Sequence, residues 1–380
     1  MRRLIAQAHY RAVWNEIFSL AWRISNFEPF EQPRKILRVS RVTVLLGCRG
    51  NPTGSQMART GKEDGLSVLY PNSSRDSGSI IAIDYALGND HSRLSLDLRK
   101  GSQMLKSQQE KYEAFKALHE KPGAFLMPNP WNAGTARMLS GLGFEALATT
   151  SAGLAFSLGY CDATAGLSRE ITLENAREIV AATELPVSAD LEDGFGADPE
   201  SCAETIRQAA AVGLVGGSIE DATGDAADPI FDFDLAVERV RAACEASRGL
   251  PFLLTARSEN FLHGRPDLDD TIRRLQAFEQ AGADVLYAPG LPDLEAIRKV
   301  CAAVSKPVNV VLGRGGLTYS LEDLAAAGVK RVSTGGSFAR AALGGMMRAA
   351  LEIRDQGSFS YADEALSHQE VSSYMVTAKR

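Results

Sequence analysis

The feature that most constrains the fold is an alternation of short apolar runs with helical stretches, from about residue 104 to residue 336. Eight runs, rich in apolar and β-branched residues, have the length of buried strands. They occupy 124–129, 146–151, 186–192, 216–221, 252–257, 284–290, 307–313 and 331–336. The intervening segments have helical spacing, and several end with a glycine. Eight β-α units predict an α/β fold of the (β/α)8 TIM barrel class, with an open doubly wound sheet as the alternative.

The sequence changes character near Met104, which predicts two parts. Residues 1–103 carry 15 lysines and arginines against 9 acidic residues, whereas residues 104–380 carry 26 against 38. The first part has little periodicity, so we expect a loosely ordered extension, in which 36–46 and 79–87 have strand composition. The second part is the predicted catalytic barrel, with further helices at about 340–380.

Composition excludes several classes of protein. The five cysteines form no C-x-x-C pair, which argues against a structural zinc site and favours a reducing, cytoplasmic location. Polar residues interrupt the basic N-terminal stretch, so we expect no membrane span or secretory signal. The arginines of the extension are dispersed without a nucleic-acid-binding motif, so we expect no nucleic-acid partner.

Polar side chains concentrate where the predicted strands end. Asp190 and Glu192 end the third strand, Glu220 the fourth and Arg257 the fifth, and Asn309 lies on the seventh. A TIM barrel brings the carboxyl ends of its strands to one rim, where its active site lies. We therefore expect these side chains to surround one site, with Asn309 contacting substrate.

Crowded carboxylates without histidine are the oxygen ligands that Mg²⁺ or Mn²⁺ prefers. Strand alternation predicts that Asp190 and Glu192 point to the same side and that Asp193 faces away or lies in the turn. Gly194 and Gly196 are expected to let the backbone approach a ligand or form a mobile lid. Alone, such an acidic stretch is more often a solvated turn, but Glu220 and Arg257 on neighbouring strand ends favour a functional site.

Five motifs in order, TTSAGLAFSLGYCD, SADLEDGFG, GGSIEDAT, LLTARSENF and AFEQAGADVLYAPG, resemble the isocitrate lyase and phosphoenolpyruvate mutase superfamily over roughly residues 107–345. The resemblance implies a barrel that binds small oxo acids at a metal and makes or breaks C–C or C–P bonds. The roles that it implies are substrate-carboxylate binding by Ser151, Ala152 and Gly153, an acid beside the reacting centre at Asp162, Mg²⁺ binding by Asp190, Glu192 and Glu220, and substrate binding and catalysis by Arg257 with Glu220.

Three departures from the superfamily bear on the reaction. The K-x-x-C-G motif of the isocitrate and methylisocitrate lyases is absent, because residues 220–234 contain no Lys, Cys or His. The gating loop of the mutase branch is missing there too, and Tyr287 begins the segment that replaces the sixth-strand glutamate of the lyases. Asp162, Tyr160 and His263 remain as candidate proton carriers.

We expect a Mg²⁺-dependent lyase that cleaves a C–C bond of a small oxo- or hydroxy-carboxylate, such as oxaloacetate or methylisocitrate, through a metal-stabilised enolate. The first alternative is C–P bond mutase or hydrolase chemistry on phosphonopyruvate or carboxyphosphonoenolpyruvate. A barrel with phosphate bound at the glycines of strands seven and eight, and a non-catalytic binding protein, are further alternatives. The superfamily also implies a homotetramer with an exchanged C-terminal helix.

Overall fold

A computed structural model describes residues 65–70, 80–86, 97–101, 106–162, 166–313 and 318–375. The chain divides into two compact units after Leu105. In the first unit, strands β1 (Gly65–Tyr70), β2 (Ile80–Ala86) and β3 (Asp97–Gly101) form an antiparallel sheet with β2 in the centre. The segment 79–87 thus contains a strand, whereas 36–46 lies outside the described residues.

The second unit contains eight parallel strands, one in each run that the sequence predicts. They are β4 (Phe125–Met127), β5 (Leu147–Ala148), β6 (Val187–Asp190), β7 (Gly216–Glu220), β8 (Leu253–Arg257), β9 (Val285–Tyr287), β10 (Val308–Val311) and β11 (Arg331–Ser333). Strand neighbours follow chain order from β5 to β11, and β11 pairs with β4. The Ala148 amide donates to the Pro128 carbonyl at 3.1 Å across the remaining gap. This order confirms the TIM barrel and excludes the doubly wound sheet.

Helices connect and follow the strands. They are α1 (Gln108–Glu120), α2 (Ala133–Gly141), α3 (Ser151–Leu158), α4 (Arg169–Ala181), α5 (Pro199–Ala211), α6 (Phe233–Ser247), α7 (Leu268–Ala281), α8 (Leu294–Ala303), α9 (Leu321–Ala326), α10 (Ser337–Gln356) and α11 (His368–Met375). Many begin at side-chain caps, such as Asp198 before Pro199 at the start of α5. The expected C-terminal helices are α10 and α11. Within the described ranges, every helix is too short or too polar to cross a membrane.

Two apolar layers position the barrel's open end. The larger one joins the outward faces of the strands to the helices, with fully buried residues such as Leu191, Ile206 and Leu254. The smaller one joins Phe115 of α1 to residues at the beginnings of strands, including Phe125 and Leu253. Because α1 covers the amino ends of the strands, the carboxyl ends form the rim that is left for a site.

Candidate active site

Arg257 lies at the rim among three carboxylates. Its Nη1 lies 2.8 Å from Asp190 Oδ1, its Nη2 lies 2.9 Å from Glu220 Oε2, and its Nε lies 2.9 Å from Glu259 Oε1. The side chain of Arg257 is only 12% exposed and that of Glu259 only 3%, so water screens these pairs weakly. The structure therefore brings Asp190, Glu220 and Arg257 together, as the sequence predicts.

Strand register explains this convergence. Glu220 on β7 pairs with Arg257 on β8, and Asp190 ends the neighbouring strand β6. Glu259 was not predicted, because it lies in the loop after β8 and nothing in its spacing marks it as a partner of Arg257. Its signal in the sequence is only its position two residues after the strand-end arginine.

The segment 190–196 departs from the predicted strand geometry. Strand β6 ends at Asp190, not at Glu192, and Glu192 and Phe195 have positive φ values of 48° and 59°. A turn, and not strand alternation, therefore places Glu192 near Asp190. The glycines have packing roles: a Cβ on Gly194 would lie 2.9 Å from Cys202 Sγ, and one on Gly196 would lie within 2.7 Å of the Ser201 side chain. They bring this loop against α5.

Burial and neighbouring acids shift the pKa of Glu192. Partial burial, followed by the charges of Asp190, Asp162 and Asp193, raises the pKa of Glu192 to about 8, although Arg257 opposes the shift. Among the described residues, no side chain or amide donates a hydrogen bond to its carboxylate. Glu192 is thus a carboxylate that lacks a compensating donor next to an acidic site.

The pKa values of Glu220 and Asp193 are shifted in the same direction. Burial raises the pKa of Glu220 well above its ordinary value despite the neighbouring Arg257. Burial raises the pKa of Asp193 as well, although the Phe195 amide donates to it at 2.8 Å. For Arg257, burial is outweighed by Glu220, Glu259 and Asp190, which raise its pKa well above the usual range. The site therefore has more carboxylates than cations.

Helix α3 supplies the next group of predicted residues. Ser151 Oγ lies 2.9 Å from Asp190 Oδ2 and 3.3 Å from Asp162 Oδ1, so the structure brings Ser151 and Asp162 to the acidic cluster. The Gly153 amide donates to the capping Thr150 hydroxyl at 3.3 Å, and a Cβ on Gly153 would lie 2.8 Å from Trp131 Cβ, so this glycine permits close packing. Ala152, in the first turn of α3, lies beside Gly336.

Inside the barrel, Asn309 is part of a polar network that also holds Arg331. Its Oδ1 accepts from Arg331 Nε at 2.8 Å and its Nδ2 donates to Ser333 Oγ at 3.1 Å. Arg331 Nη2 donates to Thr255 at 2.9 Å. Both residues line a cavity of about 60 Å³ that Asp190 and Tyr287 also line. Asn309 therefore lies next to the site, but its amide group is already hydrogen-bonded to the barrel interior.

Two residues of this interior were not predicted as site residues. Arg331 is 3% exposed, and burial lowers its pKa to about 10, with the Tyr287 hydroxyl opposing the shift. Tyr287 lies at the end of β9, and its ring centroid lies 5.1 Å from the Arg257 guanidinium carbon. Burial raises the pKa of Tyr287. In the sequence, Tyr287 is marked only as a departure from the superfamily.

The other two candidate proton carriers, Tyr160 and His263, have no contact within the described part of the chain that supports such a role. Tyr160 is 46% exposed after the end of α3. His263 is half-buried in the loop after β8, and no hydrogen bond joins its ring to any described residue.

The loop between β7 and α6, where the lyases carry their K-x-x-C-G motif, is held by its own hydrogen bonds. The Thr223 amide donates to the Pro229 carbonyl, and the Thr223 hydroxyl donates to the Asp228 carbonyl.

The carboxylate oxygens of the site suit a hard divalent cation, but in this structure they do not converge as metal ligands. In the part of the chain that the structure describes, no three acidic, histidine or cysteine side chains converge as a metal cluster. Arg257 instead bridges Asp190 and Glu220. The observation that favours a cation is the Glu192 carboxylate, which lies beside Asp190 and accepts no hydrogen bond from a described residue, because a cation stabilises crowded carboxylates.

Comparison with known proteins places this site in a family. The phosphoenolpyruvate phosphomutase family model matches residues 115–354. An uncharacterised protein of Mycobacterium tuberculosis is 32% identical over 226 residues, 58% of this chain and 81% of that protein. The 2-methylisocitrate lyase of Escherichia coli is 28% identical over 57% of this chain and 75% of the enzyme. The oxaloacetate decarboxylase of Bradyrhizobium diazoefficiens is 28% identical over 53% of this chain and 70% of the enzyme.

Solved structures agree with these relatives. A candidate lyase/mutase from Burkholderia cenocepacia J2315 is 57% identical with a TM-score of 0.69, over 71% of this chain and 97% of that chain. A phosphonopyruvate hydrolase in complex with oxalate and Mg²⁺ is 25% identical with a TM-score of 0.62, over 71% of this chain and 95% of that chain. The resemblance to the isocitrate lyase and phosphoenolpyruvate mutase superfamily, with its lyases, is confirmed: the chain belongs to the phosphoenolpyruvate phosphomutase family.

Proposed function

We propose that the protein is a Mg²⁺- or Mn²⁺-dependent lyase that decarboxylates a small 2-oxo acid carrying a second carboxylate, as in oxaloacetate. The observation that carries the proposal is Arg257, fixed by Asp190, Glu220 and Glu259 at the rim of the barrel. A guanidinium has five N–H groups, and these contacts use three of them. Two N–H groups therefore remain for the oxygens of a substrate.

The metal site would be formed by Asp190 and Glu192, with Glu220 contributing directly or through water. These side chains offer only oxygen, which suits Mg²⁺ or Mn²⁺. Such an ion supplies Lewis-acid stabilisation of negative charge on a substrate oxygen. The oxalate and Mg²⁺ bound in the related phosphonopyruvate hydrolase structure support this assignment.

Decarboxylation suits the groups that this chain supplies. When the bond to the β-carboxylate breaks, CO2 leaves and the electron pair moves to the ketone oxygen, where the Arg257 guanidinium stabilises the charge. No base is needed, because the departing carboxylate is already ionised. Cleavage of a hydroxy acid requires a base that removes the hydroxyl proton, and residues 220–234 provide no Lys, Cys or His for that step.

Proton delivery and substrate orientation are assigned to the groups beside Arg257. Ser151, held by Asp190 and Asp162, borders the position for a substrate carboxylate at the first turn of α3. After CO2 leaves, the carbon that carried it takes a proton to give the shorter 2-oxo acid. We assign this proton to Asp162 or to water, because Asp162 lies at the site and is exposed.

The test is a substrate panel with purified protein. Oxaloacetate, 2-methylisocitrate and phosphonopyruvate are each incubated with Mg²⁺, Mn²⁺ or EDTA, and the products are quantified by mass spectrometry. We expect metal-dependent formation of pyruvate from oxaloacetate. Arg257→Met should lower kcat/KM by about 100-fold or more, since removal of one preorganised charge donor costs on the order of 3 kcal/mol.

Glu238→Gln, at an exposed position on α6, is the control and should retain full activity. Turnover of phosphonopyruvate without turnover of oxaloacetate would replace the proposal by the C–P alternative. Metal-independent turnover that survives Arg257→Met would overturn the site assignment.

We further propose a homo-oligomer, a tetramer in which α10 packs on a second copy of the chain. Of the twenty residues of α10, only Ala339 is buried. Met346 and Met347 are 58% and 50% exposed, and Phe338, Leu343 and Leu351 are also exposed. Exposed apolar side chains concentrated on one helix are typical of an interface. Light scattering should show a tetramer for the wild type and smaller species for Met346→Glu, whereas a monomeric wild type would contradict the proposal.

We propose that residues 104–380 form the catalytic domain and that the protein is located in the cytoplasm. The five cysteines form no C-x-x-C pair, and this spacing supports a reducing compartment.

A further inference from the structure

The loop that carries the acids, residues 190–196, adopts a conformation that its own sequence disfavours. Glu192 and Phe195 have φ values of 48° and 59°, in the left-handed region that glycine tolerates and other residues avoid. Such backbone persists only where surrounding structure holds it. The loop therefore requires contacts from outside itself.

Those contacts come from side chains that donate to the loop's carbonyl groups. Arg239 Nη1 donates to the Gly196 carbonyl at 2.5 Å, and its Nη2 donates to the Asp193 carbonyl. Thr205 Oγ1 donates to the Gly194 carbonyl at 2.7 Å and is itself bound by Arg169 Nε at 2.8 Å. Three of the four carbonyls from 193 to 196 are thus held by side chains of the surrounding helices.

Arg239 is the more deeply buried of the two arginines in this set. It is 1% exposed on α6, it forms no salt bridge with any residue that the structure describes, and its guanidinium carbon lies 4.0 Å from the centroid of the Phe231 ring. A fully buried cation is costly, and here its η nitrogens both donate to the acidic loop. One planar guanidinium that bridges carbonyls three residues apart fixes the distance between them.

The Glu192 backbone is also tied to the rim. Its carbonyl accepts from the Glu220 amide at 2.9 Å, so the turn fixes Glu192 relative to β7. Movement of the segment 193–196 would release the turn and with it the Glu192 carboxylate. We propose that Arg239 is a positioning residue that acts through the loop 190–196 to hold Glu192 beside Asp190. The metal-affinity part of this inference rests on the proposed function, whereas the loop geometry does not.

The experiment compares Arg239→Met, Arg239→Lys and the control Arg241→Met with the wild type. Arg241 is exposed on the same helix, two residues away. Hydrogen exchange of the metal-free proteins is followed by mass spectrometry in peptides that cover the loop and β8. We expect exchange in the loop to rise by about tenfold or more in Arg239→Met, because two charge-assisted hydrogen bonds are lost. Exchange in β8 should stay unchanged.

Calorimetric titration with Mg²⁺ provides a second readout. We expect Kd to rise about tenfold or more in Arg239→Met, to rise less in Arg239→Lys, whose ammonium can still reach one carbonyl, and to stay at the wild-type value in Arg241→Met. Loop exchange that equals the wild type in both Arg239 variants would overturn the inference, as would faster exchange throughout the barrel with an unchanged Kd. If the wild type binds no Mg²⁺, the proposed function fails, but the exchange data still decide the role of Arg239.

Discussion

Replacement of Glu192 by Gln gives the most direct test of the electrostatics at the rim. The amide has the shape of the protonated carboxyl but cannot ionise. In the metal-free protein, burial together with Asp190, Asp162 and Asp193 raises the pKa of Glu192 to about 8. The substitution therefore removes one ionisation and leaves the remaining side chains of the site in place.

The direction of the effect follows from proton linkage. Because the folded-state pKa is above the unfolded value, the folded protein holds this proton more tightly. The stabilising contribution is complete below about pH 4.5 and is lost as the pH rises to about 8. One pKa unit corresponds to about 1.4 kcal/mol, so the full shift would correspond to roughly 5 kcal/mol. Glu192 is only partly buried and water reaches it, so we expect about 2–4 kcal/mol.

The assay is urea denaturation in EDTA at pH 5, 6, 7 and 8, with Glu238→Gln as the exposed control. At pH 5 the free energies of unfolding of the two proteins should differ by less than about 1 kcal/mol, because the unfolded carboxyl has only begun to ionise. At pH 8 Glu192→Gln should exceed the wild type in free energy of unfolding by about 2–4 kcal/mol. Other perturbed acids, such as Glu220 and Asp221, affect both curves, so the difference between curves reports on Glu192.

Added Mg²⁺ provides a further comparison. A cation favours the ionised carboxylate, so the ion should stabilise the wild type at pH 8 more than it stabilises Glu192→Gln. Curves that stay parallel from pH 5 to pH 8 would refute the reasoning, because Glu192 would then ionise equally easily in the folded and unfolded states.

Two further predictions concern the same part of the barrel. Arg257→Met leaves three carboxylates without their cation and should lower the free energy of unfolding by about 3–5 kcal/mol at pH 8, and by less at pH 5, in urea denaturation. An unchanged urea midpoint would show that the charge cluster is not buried. Gly194→Ala should cost about 2 kcal/mol or more, because φ is 80° and the new Cβ would lie 2.9 Å from Cys202 Sγ. Gly123→Ala, where φ is 77° but no atom lies within 4 Å, separates backbone strain from the clash and should cost less.

The barrel itself is legible in the sequence. Each of the eight predicted runs contains one observed strand, because strands buried on both sides require continuous apolar residues and their connections require helices. The predicted ends of the strands were less accurate than their number and order. The third run was predicted to continue to Glu192, whereas β6 ends at Asp190. The prediction missed this end because a left-handed turn leaves no periodic pattern in the sequence.

The sequence likewise predicted some residues of the candidate site and missed others. Asp190, Glu220 and Arg257 were predicted from position alone, since parallel strands in a barrel bring their carboxyl ends to one rim. Glu259 and Arg331 could not be predicted, because their roles depend on which side chains they meet across the barrel. Asn309 was predicted as a substrate contact, and only the structure shows that Arg331 and Ser333 already bind its amide group.

The amino-acid sequence by itself therefore determined the architecture and the type of chemistry, because hydrophobic periodicity and strand-end positions are local properties of the chain. Only the tertiary structure decided how the acids are held and perturbed. The raised pKa of Glu192, the three carboxylates on Arg257 and the contacts of Arg239 with the acidic loop join residues up to 67 positions apart. Burial and electrostatic interactions depend on distance in space, which residue spacing along the chain does not specify.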